Sequence, residues 1–321
     1  MWTDELWELG EQLDDPEQWW ILKPGMADRG IGIRIFNSKD DLQRIFEEFE
    51  QGEEDTNEDN TVSDADATST AVATSQLRHF VIQEYIQNPL LFDPSETLIP
   101  VGGKPLTELH GHKFHLRAYC VAAGALQVYL YERVLALFSA VPYVHPQIGA
   151  QQTSQLDLSP HLTNTSLQTY SGEATVRLLD EMVGCQILSG EQSTTFTKEH
   201  VTSIADQMAA VLGETFKAAL QNPIYFQSLP NAFELYGVDF LVTYTKSSST
   251  PKVNILEVNA EPAIELTGSR LFWILEDLFV SIAKACIEPF FECSYAEKDW
   301  AVGEVHHHLI KCLDETVRGP G

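Results

Sequence analysis

The residues best placed to do chemistry fall in three groups. In Lys113-Phe114-His115-Leu116-Arg117, polar and apolar side chains alternate. On a strand this alternation sends Phe114 and Leu116 to one side and Lys113, His115 and Arg117 to the other. If the chain turns back near Gly124, Arg133 on the return arm falls opposite roughly position 115 and adds another cation. Like charges facing each other across a sheet repel, so the patch calls for an anion, and arginine forks suit phosphate or carboxylate. The plainer alternative is a solvated face neutralised by local acids.

The second group is of opposite character. A turn centred near Ser248 would pair Asp239 with about Glu257, with Asn259 two residues further along the same face, while Val238, Phe240, Leu256 and Val258 fill the other side. Two neighbouring carboxylates on an otherwise apolar sheet either share a proton or hold a cation. With an added amide they form a hard-oxygen set suited to Mg²⁺ retained together with substrate phosphates.

The third group is Lys23-Pro-Gly-Met-Ala-Asp-Arg-Gly-Ile-Gly32, a lysine at a strand end followed by a glycine turn whose backbone N–H groups could cover a phosphate. It fits neither the P-loop nor the dinucleotide-binding fingerprint, because a strand and not a helix follows. The three groups together point to a Mg-nucleotide site outside the P-loop class.

The elements that must position these groups can be read from periodicity. Residues 2–18 suggest a short amphipathic helix and Trp19–Lys23 a buried strand, with Ile31–Phe36 pairing back on it as a second strand. Ser38, with Asp41 three residues on, resembles a helix N-cap ahead of Leu42, Ile45, Phe46 and Phe49. Glu50 to Asp66 holds eight acids and no base, then Ala, Thr and Ser follow, so 50–77 is expected to be a disordered insert. Phe80–Ile86 is a strand, Lys113–Phe138 a long hairpin, and Glu199–Gln221 a helix with Val201, Ile204, Met208, Val211, Leu212 and Phe216 inward. Glu234–Tyr244 and Lys252–Asn259 form another hairpin, Leu271–Ile287 an apolar helix, and 291–321 a helical tail. His306-His307-His308 then lies on an exposed helical stretch, where adjacent residues point about 100° apart and cannot share one ion. No internal repeat is visible.

Charge restricts the partners. Lys and Arg number 20 against 47 Asp and Glu in 321 residues, a formal net charge of −27, and the body keeps −19 without the insert's eight acids. Such a surface repels phosphate backbones and anionic lipid, excluding generic nucleic-acid or membrane-surface binding. No apolar run is long enough to span a membrane, and Met1–Gln12 lacks the basic start of a secretion signal, so a cytoplasmic protein is expected. The five cysteines lack a C-x-x-C pair and read as reduced thiols. There is no G-x-S-x-G nucleophile elbow, the Asn164-Thr-Ser166 sequon falls in a chain expected to stay in the cytoplasm, and Trp2, Trp7, Trp19 and Trp20 read as packing anchors.

One set of motifs resembles a known family. Trp20-Ile-Leu-Lys-Pro24, Arg29-Gly-Ile-Gly32, Gln83-Glu-Tyr-Ile86, Lys113-Phe-His-Leu-Arg117, His161-Leu-Thr-Asn164, Tyr236-Gly-Val-Asp-Phe240 and Leu256-Glu-Val-Asn259 occur in the order of the tubulin-tyrosine-ligase-like family, most like a fungal branch. The resemblance runs from about Trp19 to Ile287. It implies the α+β ATP-grasp fold, with two lobes, 19–112 and 113–290, holding ATP between them. By the same resemblance, Lys23, Lys113 and His115 would meet the nucleotide with Arg29 and Gly30, while Gln83, Glu84, Tyr85 and Ile86 form the adenine hinge and Thr163 and Asn164 add contacts. Arg117 and Arg133 would neutralise the γ-phosphate and the acyl-phosphate made from it, and Asp239, Glu257 and Asn259 would ligate Mg²⁺. The implied activity joins an amino acid to a protein or peptide carboxylate, with ATP and Mg²⁺ as cofactors.

The departures bear on substrate. His115 stands where the family usually has Asp, and Gln83-Glu84 replaces the commoner Gln-Lys. Only 18 residues precede the first matching strand, whereas tubulin tyrosine ligases carry a further N-terminal domain, so a partner supplying that part is expected. In some fungal relatives a similar domain follows a SurE-like phosphatase domain in a processing-body protein. The alternative function is therefore a catalytically degenerate ATP-binding and protein-interaction module. Tubulin's acidic tails would be repelled by a −27 partner unless a basic groove compensates.

Overall fold

The computed structural model describes residues 7–13, 15, 17–25, 30, 32–54, 79–98, 108–147, 157–163, 175–190, 194–244, 250–262, 264, 268–291 and 300–317. Contacts divide the chain into two units, Met1–Gln87 with Val144–Leu167, and Asn88–Tyr143 with Gln168–Gly321. The boundary expected at 112/113 thus falls at 87/88, and a later segment joins the first unit.

The first unit contains α1 (Trp7–Gln12), β1 (Trp20–Pro24), β2 (Arg34–Phe36), α2 (Lys39–Glu54) and β3 (Phe80–Glu84). The strands make an antiparallel sheet of order β2-β1-β3. Between β1 and β2 the chain passes through Gly30 and Gly32, both at positive φ, 76° and 77°, which a side chain would resist. Ser38 Oγ accepts the Asp41 N–H at 3.2 Å, the expected cap of α2. Leu42 and Ile45 of α2 then pack on Leu22 and Phe36. The helix runs on to Glu54, taking in the first residues of the segment 50–77 expected to be a disordered insert; 55–77 lie outside the described residues.

The second unit begins with β4 (Leu91–Phe92), β5 (His112–Ala123), β6 (Gln127–Tyr131) and β7 (Leu135–Phe138), then β8 (Val176–Leu178), β9 (Gln186–Ile187) and β10 (Thr194–Thr195). It continues through α3 (Lys198–Leu220), β11 (Phe233–Thr243), β12 (Lys252–Asn259), α4 (Gly268–Leu271) and α5 (Trp273–Ile282), which runs into a π-helical turn over Ala283–Ile287. It closes with β13 (Val305–His306) and β14 (Leu309–Asp314). The main sheet has the order β12-β11-β5-β6-β14-β13, with β7 and β4 also on β5 and β8 on β7.

Alternation along β5 separates two cores. Phe114, Leu116, Ala118, Cys120 and Ala122 face α3, whose Ile204, Met208, Leu212 and Phe216 are buried against them. On the opposite face, Tyr119 and Val121 pack with Leu271, Ile274, Leu278 and Ile282 of α4 and α5. The same face at the start of β5 carries Lys113, His115 and Arg117 instead. One strand therefore holds a continuous core on one side and, on the other, an apolar half joined to a polar half.

Three expectations are corrected. Among the described residues of the tail the expected helix is replaced by strands, because β14 pairs antiparallel with β6 inside the main sheet. His307 and His308 form the tip of the β13–β14 hairpin at positive φ, 50° and 61°, so the three histidines are not on a helix. Finally, the register shifts between Asp239 and Phe240, and Phe240 meets Ile255 rather than Leu256. This bulge places Val253 and Ile255 with the α3 core, whereas Val258 keeps its expected place opposite Val238 and is nonetheless exposed.

Gly213 gives a test of the C-terminal strand. A Cβ there would lie 2.7 Å from the Cys312 carbonyl oxygen of β14, a backbone atom that cannot swing aside. We expect Gly213→Ala to lower stability by about 1 kcal/mol or more in urea denaturation, because overpacking of ~1–3 kcal/mol exceeds the helix-propensity gain of ~1 kcal/mol. A gain in stability would contradict the packing of β14 on α3.

Candidate nucleotide and metal-binding faces

In the second unit, the polar half of the sheet is built from a row across adjacent strands. Arg117 on β5 stands opposite Asp239 on β11, and Asp239 opposite Glu257 on β12. Two positions along, Tyr119 stands opposite Gly237 and Gly237 opposite Asn259. Directly opposed residues share a face, so Arg117, Asp239, Glu257 and Asn259 come together as the spacing predicts.

The Arg117 guanidinium grips Asp239 with two hydrogen bonds, Nε to Oδ1 and Nη2 to Oδ2 at 2.9 Å. Asp239 is only 3% exposed. Burial opposes its ionisation, but His115, Arg117 and a hydrogen bond with Glu257 outweigh this and hold the carboxyl below its ordinary range. Burial is also the largest influence on Arg117, yet Asp239 reverses it and raises the guanidinium above its usual value. His115 Nε2 is 3.8 Å from Asp239 Oδ1. Burial, helped by Arg117 and Lys113 and opposed by Asp239, pushes His115 down to about 4. The imidazole is neutral at pH 7, so the standing cation against Asp239 there is Arg117. The outer end of the row is open to water: Glu257 is exposed, and Asn259 Nδ2 donates to Glu257 Oε1 at 3.4 Å.

Gly237 is the member that sequence reasoning left unexplained. A Cβ there would lie 2.8 Å from Pro262 Cβ, so the missing side chain is what lets Pro262 pack against β11, while Arg117 Cδ and Nη1, at 3.5 and 3.6 Å, lie at ordinary contact distance. The available signal was a glycine inside a strand, two residues before the buried aspartate.

Arg133 does not stand where expected. His115 pairs with Leu137, and Arg133 falls in the break between the pairs Cys120–Leu130 and Arg117–Leu135. A looser return of the hairpin shifts the register. Its guanidinium lies over the Trp273 ring, 5.9 Å from the centroid, with Nη2 3.9 Å from Glu132.

The first unit presents its own face. In the pairs Ile21–Gln83 and Lys23–Val81, Lys23 and Gln83 share the side of the sheet away from α2. Glu84 pairs with Trp20 on the other side, so a Lys-to-Glu change at that position does not alter the face carrying Lys23. β3 is an edge strand of its sheet and leads directly into Tyr85 and Ile86. The buried Tyr85 donates its backbone N–H to Trp19 O at 2.8 Å, and its hydroxyl meets His161 Nδ1 at 2.9 Å. This joins the hinge segment to the loop bearing buried Thr163, a link across 76 positions that no local pattern announces. Arg29 and Asn164 lie outside the described residues; Gly30 lies in the turn after β1.

The donor chemistry of Asp239, Glu257 and Asn259 fits Mg²⁺, with Asp239 shared with Arg117. Among the described residues no group of three or more His, Cys, Asp or Glu could hold a metal alone. Nor is any described helix long and apolar enough to cross a membrane.

Comparison with known proteins adds three findings. A family model described as "Tubulin-tyrosine ligase family" matches residues 3–294. The chain is 36% identical over 98% of its length to the Saccharomyces cerevisiae protein named "Probable tubulin--tyrosine ligase PBY1", covering 39% of that protein. It is 34% identical over 90% of its length to a "Probable tubulin--tyrosine ligase" of Schizosaccharomyces pombe, covering 65%. Both relatives extend well beyond the matched region. Among solved structures, the C-terminal domain of K. lactis Pby1, described as "an ATP-grasp enzyme interacting with the mRNA decapping enzyme Dcp2", is similar at a TM-score of 0.58 and 30% identity, over 97% of this chain and 67% of that one.

The titration of the buried row is measurable. A histidine whose folded value lies below its unfolded value of about 6.5 leaves the unfolded chain binding more protons, so stability falls as pH drops from about 6.5 towards 4. The loss is at most about 3 kcal/mol. Asp239, held low, adds a loss beneath the ordinary carboxylate range. We expect His115→Gln to flatten the upper part of this profile in urea denaturation from pH 7 to 4. An unchanged slope would remove His115 as its source.

Proposed function

The chain belongs to the tubulin-tyrosine ligase family and has the ATP-grasp fold, and from that premise we propose that it is a Mg-ATP-dependent carboxylate-amine ligase acting on a protein or peptide in the cytoplasm. The observation that carries the reading is the Arg117–Asp239–Glu257 row with Asn259 beside it, on a sheet face that also holds Lys113 and His115. A chain of net charge −27 has concentrated cations beside hard oxygen donors at one place.

In the proposed reaction, a carboxylate oxygen of the acceptor attacks the γ-phosphorus of ATP and ADP leaves, giving an acyl-phosphate. The amine of an amino acid then attacks the acyl carbon, loses a proton and expels inorganic phosphate, leaving an amide. The chain's part is to position reactants and neutralise charge rather than to form covalent bonds. Arg117, already fixed by Asp239, presents its charge without having to be ordered at the moment of reaction. Lys113 supplies a second cation on the same face, and Arg133 is assigned to the acyl-phosphate. Neutral His115 adds a polar edge without adding charge. Asp239, Glu257 and Asn259 would hold Mg²⁺, which offsets phosphate charge when bound. Lys23 and Gln83 of the first unit are assigned to phosphate and nucleotide, and the backbone of Glu84–Ile86 to adenine.

A second reading has its own support. The similar K. lactis domain is described as interacting with the decapping enzyme Dcp2, and His115 departs from the family's usual aspartate. On this reading the domain binds nucleotide and a protein partner without ligating.

Calorimetry with Mg-ATP tests what both share. We expect Glu257→Gln and Lys23→Ala each to bind at least about tenfold more weakly, ~1.4 kcal/mol; equal affinity in all three proteins would refute the assignment. A mass increase on an acceptor that requires ATP, an amino acid and Glu257 would establish the ligase. Tight nucleotide binding with no product across an amino-acid and acceptor screen would favour the second reading.

A further inference from the structure

Helix α5 is apolar nearly all round. Its inner side, Ile274, Leu275, Leu278 and Ile282, is buried in the sheet's second core. Its outer side and the turns around it expose Phe272, Phe279, Val280, Ile287, Phe290 and Phe291, with Phe272 at 65% and Phe291 at 70%. The spacing from 272 to 279, 280 and 287 follows the helical repeat, so these residues form a stripe broken mainly by Glu276 and Lys284. Exposed apolar stripes of this kind mark binding surfaces.

The stripe begins beside Arg133. Trp273, half exposed at the first turn of α5, carries the Arg133 guanidinium over its ring at 5.9 Å. Arg133 Nε is buried without a hydrogen-bond partner among the described residues. Glu132, the acid near Arg133, is already engaged by His308 Nδ1 at 2.6 Å. The Arg133 side chain as a whole is 31% exposed, which leaves a cation accessible at the end of an apolar track.

Resting on the ligase reading, we propose that this stripe docks the protein acceptor. The acceptor presents an apolar, basic or neutral segment along α5, and its carboxylate reaches Arg133. Charge selects among the possible occupants. A second copy would bring −27 against −27, and an acidic tail or anionic membrane would be repelled likewise. An amphipathic segment with apolar residues at helical spacing and lysines on its other side matches both the stripe and the field.

The test uses the whole chain and a fluorescent synthetic peptide, with leucine and phenylalanine on one helical face, lysine on the other and a free C-terminal carboxylate. Anisotropy should show binding that Val280→Glu weakens at least about tenfold while Mg-ATP affinity stays unchanged. Amidating the peptide C-terminus, or Arg133→Gln, should each weaken binding several-fold, and the two effects should not add. A glutamate-rich peptide that binds as well, indifference to Val280→Glu, or equal binding of acid and amide would overturn the proposal. So would a wild-type dimer in sedimentation that Val280→Glu dissolves. Loss of carboxylate-dependent peptide binding with Mg-ATP binding intact sinks this proposal alone, whereas absent Mg-ATP binding sinks the ligase reading beneath it.

Discussion

The polar face of the second unit depends on one buried ion pair. Placing Arg117 and Asp239 opposite each other on central strands removes two charges from water, a cost their attraction offsets only because the guanidinium meets both carboxylate oxygens. Removing either partner would strand the other, typically ~3–5 kcal/mol. An apolar pair would fold at least as well, so the sheet gains little from the charges themselves. What they provide is a cation and an anion held rigid beside Glu257 and Asn259. Gly237 lies beside the pair, where only a bare backbone leaves room for Pro262.

The division of labour on β5 follows from this pair. Its even-numbered positions from 114 to 122 feed one core without interruption, while its odd positions change from Lys, His and Arg to Tyr and Val. The change occurs where α4 and α5 cover the sheet. Side chains under those helices must be apolar; beyond them the face is free to carry charge. Anchoring the polar half in the same strand as two packed cores is what keeps it from rearranging, because a one-residue slip would invert every side chain.

Much of this was legible in the sequence because period-two patterns report faces directly. Lys113-Phe-His-Leu-Arg117 and the pairing of Asp239 with Glu257 came from alternation and a turn centre alone, and the helix over Lys198–Leu220 from its apolar spacing. What failed was whatever depended on a count across an irregularity. The return of the β5–β6 hairpin and the break before β7 moved Arg133 away from His115, and the bulge after Asp239 moved Leu256 out of register with Phe240. The C-terminal strand was missed because Leu309–Asp314 is short and its partner β6 lies far back in the chain. Its hairpin also turns on two histidines where glycine or asparagine would have signalled a turn. The Tyr85–His161 link is tertiary and has no local signature.

Charge ties the local site to the choice of partner. A net charge of −27 acts over roughly a Debye length, about 8 Å at physiological salt, so it governs approach but not a contact once made. Phosphates brought against Lys113 and Arg117, as proposed, would be within the reach of local cations and would escape the general repulsion. A long acidic polypeptide cannot, because most of it must lie over acidic surface. The same field therefore permits a small, intensely charged nucleotide while disfavouring an extended acidic acceptor. That asymmetry makes an apolar track ending at Arg133 a better route for a protein substrate than any electrostatic one this surface offers.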